Sequence, residues 1–153
     1  MISPSDLGPG RLAQFRAGEN AEQWLVQRVS EDPAILGLGD LELKRARPSC
    51  RAGQVGLLLE DRAELSLYVV ELQFGPTDDR HVIRVVERWA ATRKRHPRNR
   101  CFAVLVAEQI APRYLNILQL ISRAVPVALM EMRMSEAAGT TTLRFAPIGL
   151  RLR

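Results

Sequence analysis

Lysine is nearly missing from this chain: Lys44 and Lys94 are the only two among 22 basic residues. The remaining cations are arginines, whose planar fork can place two hydrogen bonds on one oxyanion. Arginine-for-lysine usage also follows from genome base composition, so both readings stand. Cysteine is as scarce, with Cys50 and Cys101 alone. Two thiols exclude a disulfide framework and show no metal-ligand spacing; Cys101 opens an apolar stretch and reads as core. Aromatic residues make up 5% of the chain, and its two tyrosines, Tyr68 and Tyr114, are too few to argue a base-stacking platform for single strands. No basic-then-apolar leader opens the sequence and no apolar run nears membrane-spanning length, which predicts a soluble cytoplasmic protein without a membrane partner.

What is present is an ordinary globule with a basic balance. At 153 residues, 46% hydrophobic and 25% charged, the chain is sized for one domain with a proper core. Its net charge of +5 points toward a polyanionic partner. Residues 1 to 10 combine Pro, Gly and Ser without periodicity and predict a loose arm, leaving 11 to 153 as one domain.

Periodicity supplies the elements. Phe15, Ala21, Trp24, Leu25 and Val29 give a helical apolar face over about Leu12 to Val29, interrupted at Gly18, and Pro33 opens a short turn through Leu36. Leu41 to Arg47 predicts an edge or half-exposed strand with Leu41, Leu43 and Arg45 on one face. Val55 to Leu59 and Leu65 to Phe74 read as an antiparallel hairpin. Thr77 is the expected N-cap of a helix to about His96, with Val82, Val85, Val86 and Trp89 buried and Arg80, Arg84 and Arg88 forming a cationic stripe elsewhere. The tail from Arg93 to Arg100 adds further basic residues and no acid; a solvated helix end or a DNA backbone contact accounts for it. Cys101 to Ala107 is continuously apolar and predicts a strand covered on both faces. A helix from Pro112 to about Arg123 and strands over Pro126 to Met132 and Thr140 to Phe145 complete the order. Three meandering strands and a helical crossover to a buried strand give a mixed α/β sheet between helices.

The most unusual residues lie on the third strand. Glu71 and Gln73 sit two apart within Tyr68-Val69-Val70-Glu71-Leu72-Gln73-Phe74 and so share a face. A buried, unpaired carboxylate costs several kcal/mol, so Glu71 requires a cation, a donor or a metal.

This order, with Glu71-Leu72-Gln73 on the third strand, resembles the PD-(D/E)XK nuclease superfamily, whose restriction-endonuclease-like αβββαβ core carries an Asp on the second strand and Glu-X-Lys, or Glu-X-Gln, on the third. The stretch Thr77-Asp78-Asp79-Arg80-His81-Val82-Ile83-Arg84, followed by Glu87-Arg88-Trp89, is similar to the helix of a bacterial subgroup. So are Ala103-Val104-Leu105-Val106-Ala107-Glu108 and Arg113-Tyr114-Leu115-Asn116, which bring the resemblance to roughly Gly53 through Met132.

The resemblance implies metal-dependent phosphodiester hydrolysis on DNA, with Glu71 as ligand of Mg²⁺ or Mn²⁺, Gln73 orienting water, Glu19 assisting from the first helix, and His81, Arg84 and Arg88 near phosphate. One position departs from the pattern: Gly53-Gln54-Val55-Gly56-Leu57 puts Gly56 where the metal-binding Asp belongs. Glu60, four residues on, lies roughly 13 Å along the strand and does not replace it. Arg84 is also placed to pair with Glu71, which would remove any need for metal. The alternatives are therefore a nuclease, a degenerate nuclease-fold module that binds nucleic acid or protein without cutting, and a small scaffold that forms a homodimer through a sheet edge.

Overall fold

A computed structural model describes residues 20–48, 53–138 and 140–149. The expected arm at 1 to 10, the start of the first helix with Glu19, and Cys50 lie outside them. The elements run α1 (Asn20–Glu31), a 3-10 turn (Pro33–Leu36), β1 (Glu42–Pro48), β2 (Gln54–Asp61), β3 (Ser66–Pro76), α2 (Asp79–Arg95), β4 (Arg100–Gln109), α3 (Pro112–Ile121), β5 (Val127–Ala137) and β6 (Thr140–Pro147).

Six strands form one mixed sheet in the order β1-β2-β3-β4-β5-β6. β1, β2 and β3 pair antiparallel, β3 pairs parallel with β4 and β4 with β5, and β5 and β6 close as an antiparallel pair. The parallel step from β3 to β4 is spanned by α2, as a crossover of this kind requires. β3 and β4 are thus interior strands and β1 is an edge.

The sheet separates two apolar layers, and strand alternation decides which residue enters which. On one side Leu25 and Val29 of α1 pack with Val55, Leu57, Leu59, Val70, Leu72, Val104 and Val106. On the other, Val82, Val85 and Trp89 of α2 and Tyr114 and Leu118 of α3 pack with Leu67, Ala103, Leu105 and Leu129. β4 feeds both layers, which is why its run from Cys101 to Ala107 carries no polar residue and is buried throughout. Each fully buried Leu or Val contributes about 1.5–3 kcal/mol relative to exposure.

Three local features differ from the expectations. The N-cap of α2 is Asp78, not Thr77: the Asp78 carboxylate accepts from His81 N at 2.9 Å, while Thr77 N donates to Gln109 O at 2.9 Å and ties the strand end to β4. A bulge between Leu43 and Arg45 breaks the alternation of β1. Leu43 stays opposite Leu59, but Arg45 comes opposite Leu58 and Arg47 opposite Gly56, so the two arginines move to the α2 side. Lastly, Arg84 and Arg88 are not a solvent-facing stripe with exposed Arg80; both turn toward the sheet.

Candidate functional site

The register of the central hairpin builds the site. Gly56 of β2 is the cross-strand partner of Glu71 of β3, and Gln54 is the partner of Gln73. All four therefore lie on the α2 side of the sheet, because Val55 and Leu57 between them enter the α1 layer. α2 runs across this face and, one turn apart, lowers Arg84 and Arg88 onto the Glu71 carboxylate.

Glu71 keeps only 2% of its side chain exposed. Arg84 Nε donates to its Oε2 at 3.0 Å, and Arg88 Nη1 lies 2.7 Å from Oε1. The Arg88 contact is a charge pair rather than an aligned hydrogen bond, since Oε1 has no hydrogen-bond partner of good geometry among the described residues. Burial pushes the Glu71 carboxyl above its ordinary value, and the charges of Arg88 and Arg84 pull it back down. The two guanidinia favour the ionised form of this carboxylate, against a burial that still leaves its value raised. Removing one side of such a pair costs about 3–5 kcal/mol, because the other charge is left buried alone.

Gly56 is what lets Arg88 reach. A Cβ at this position would sit 2.9 Å from Glu71 Oε1 and closer still to Arg88 Nη1, inside any real carbon contact. Nothing larger than hydrogen fits while Arg88 holds Glu71.

The other sequence-derived candidates are equally committed. Gln73 is buried: its Nε2 donates to Pro76 O at 2.8 Å, and its Oε1 accepts from Arg84 Nη2 and Gln54 Nε2, each at 3.3 Å. His81 has no exposed surface, and its Nε2 lies 2.9 Å from Glu71 O. A carbonyl only accepts, so Nε2 carries the hydrogen and Nδ1 is the bare nitrogen. Burial, with the Arg84 charge adding to it against the bond to Glu71 O, lowers the imidazole from 6.5 to about 4. His81 is a neutral clamp between α2 and the β3 backbone.

The donors present do not fit a divalent ion. Mg²⁺ and Mn²⁺ seek several hard oxygens, typically more than one carboxylate. Among the described residues no three acidic, histidine or cysteine side chains converge, Gly56 contributes no ligand, and both Glu71 oxygens face guanidinium nitrogens. Glu60 is turned to Lys44 at 3.5 Å and Arg62 at 3.7 Å.

Sequence reasoning did not single out Arg47, read Arg45 as part of a different face, and met Arg95 only as one of the basic residues from Arg93 to Arg100. These three line a cleft beside Glu71, together with Gly56 and Arg88. Arg45 and Arg47 stand two apart on one strand and so share a face, a signal obscured by the bulge that sets which face it is.

No family model matches the chain, and no curated protein matches it. Among solved structures it is similar to EndoMS in its apo form, a PD-(D/E)XK-type nuclease, at 17% identity and a TM-score of 0.55. The match covers 68% of this chain and 44% of that one, so the chain spans less than half the length of the protein it resembles. At this identity the likeness is one of fold: a mixed α/β domain with a curled six-stranded sheet and three helices, similar to the fold of EndoMS.

Proposed function

We propose that this chain is a nuclease-fold module that holds nucleic acid without cutting it. The observation that carries the reading is the closure of Glu71 by Arg84 and Arg88 over Gly56. In this arrangement the charge facing the carboxylate is supplied by two arginines, and among the described residues no second carboxylate stands opposite to recruit an ion. Arginines cannot generate a hydroxide from bound water at neutral pH as a divalent ion does. The binding half of the proposal rests on the net charge of +5, the acid-free basic stretch at the end of α2, and the nuclease-like fold.

The test is a paired assay on the full chain. Labelled duplex and single-stranded DNA and RNA are incubated with the protein and Mg²⁺ or Mn²⁺, and binding is followed by anisotropy across added salt. The expected result is intact substrate throughout and an affinity that falls steeply with salt. Metal-dependent cleavage abolished by Glu71→Ala would overturn the silent half, and salt-insensitive or absent binding would overturn the other. A packed protein interface would show little salt dependence.

A further inference from the structure

Beside the closed carboxylate, β1, β2 and the C-terminal half of α2 leave a cleft of about 130 Å³. Arg45 and Arg47 reach it from the edge strand, Arg88 and Arg95 from α2, and Gly56 and Glu71 lie at its floor. Glu71 is the acid in this lining, and it is already answered by Arg88 and by Arg84 behind it. Arg45, Arg47 and Arg95 are exposed and pair with no acid among the described residues. Several unneutralised cations therefore converge on one concavity with low-dielectric walls, an arrangement that concentrates anions.

Arg88 differs from the other three. Its Nη1 is fixed on Glu71 Oε1, its side chain is 30% exposed, and its Nε and Nη2 have no partner among the described residues. One edge of the guanidinium is thus anchored and another is offered outward with its orientation already set. A preoriented fork loses less freedom on binding an oxyanion than a free surface arginine does.

Resting on the nucleic-acid reading above, we infer that this cleft seats a backbone phosphate, with Arg88 as the inner donor, Arg45, Arg47 and Arg95 around it, and Glu71 as the residue that positions Arg88. The cleft has room for an oxyanion and its waters. Four arginines line it, with Thr92 and His96 beside them, and arginine forks match the paired oxygens of a phosphate. Contacts of this type carry no base information, so the site holds nucleic acid irrespective of sequence. The same chemistry would take a free phosphate, and the test separates the two sources.

The experiment uses the full chain and a labelled duplex whose sequence is varied, with affinity measured from roughly 50 to 200 mM salt. The variants are Arg45→Ala/Arg47→Ala, Arg95→Ala, the charge-retaining Arg45→Lys/Arg47→Lys, and, as a control outside both the cleft and the basic stretch, the exposed pair Arg123→Ala/Arg144→Ala. Each is checked for unchanged thermal unfolding, and inorganic phosphate is titrated separately and followed by backbone amide shifts. The expected result is that the double alanine variant binds every duplex about tenfold more weakly, with a salt slope shallower by about two. Lysine retains most of the affinity and the control pair changes it little. If wild type binds duplex and the cleft variants match it, the cleft assignment is overturned while the nucleic-acid reading survives. If wild type binds phosphate at Gly56, Glu71 and Arg88 but no nucleic acid, the phosphate seat stands and the nucleic-acid reading falls. Binding of neither overturns both.

Discussion

Gly56 and Arg88 occupy one place between them: the side chain that β2 omits leaves the space in which the Arg88 guanidinium meets Glu71. The two positions are 32 residues apart in the sequence and cannot vary independently.

Restoring the acid expected on the second strand is therefore not a one-residue change. Gly56→Asp forces its Cβ into Arg88 and should lower stability by about 1–3 kcal/mol, the usual range for overpacking. It should bind no Mn²⁺. Gly56→Asp combined with Arg88→Ala removes the collision and sets two carboxylates across one strand pair, so calorimetric titration should detect an ion there. An ion bound by the single variant at undiminished stability would show that Arg88 does not hold this space.

Glu71, buried and held by two guanidinia, should be the polar residue of the sheet most costly to replace. Glu71→Ala leaves Arg84 buried without its partner and should cost about 3–5 kcal/mol in a urea titration. Among its partners, Arg84→Ala should cost more than Arg88→Ala, since Arg84 is the less exposed and also donates to Gln73. The reverse ranking would mean that the aligned bond to Oε2 matters less than the shorter contact to Oε1.

His81 predicts an acid-sensitive fold. Its imidazole is held neutral with a folded value of about 4 against an ordinary 6.5. Between these limits the unfolded chain binds a proton that the folded chain refuses, so stability rises with pH across the window. The contribution is complete above 6.5 and is lost as pH falls toward 4, amounting to something on the order of 3 kcal/mol. Unfolding midpoints of wild type and His81→Gln at pH 7 and pH 4.5 should show the wild type losing more on acidification, because the amide keeps a donor for Glu71 O without titrating. Parallel losses would assign the acid sensitivity to other groups.

The Trp89 indole also ties α2 to the sheet, donating from Nε1 to Cys101 O at 2.9 Å in a buried setting. Trp89→Phe keeps most of the ring and leaves that carbonyl without its donor, so thermal unfolding should report a loss of about 1–3 kcal/mol. A neutral substitution would mean that this bond contributes nothing to holding the helix on the sheet.

Much of this architecture was legible because the signals were local. The unbroken apolar run of β4 could only be an interior strand, Pro112 could only begin a helix, and Glu71 with Gln73 on an apolar strand demanded partners. Arg84 was readable as a mate for Glu71, since the turn between β3 and α2 is short. What could not be read depends on three-dimensional placement. The second guanidinium on Glu71 follows from where α2 crosses the sheet, and the aim of Arg45 and Arg47 follows from a bulge that no residue type announces. Thr77 and Asp78 are both good caps, and only the backbone bond from Thr77 to β4 decides between them.

The bulge in β1 has an effect on the outside of the molecule as well. An edge strand is a standing invitation to pair with another copy, and a sheet-edge homodimer is one form this chain was expected to take. Here the interruption at Lys44 breaks the even row of backbone donors and acceptors, and Lys44, Arg45, Arg47 and Pro48 crowd the same short segment. Two such strands brought side by side would set cation against cation along a ladder that cannot register. The kink that turns two arginines to the α2 side of the sheet thereby also guards this rim against its own twin.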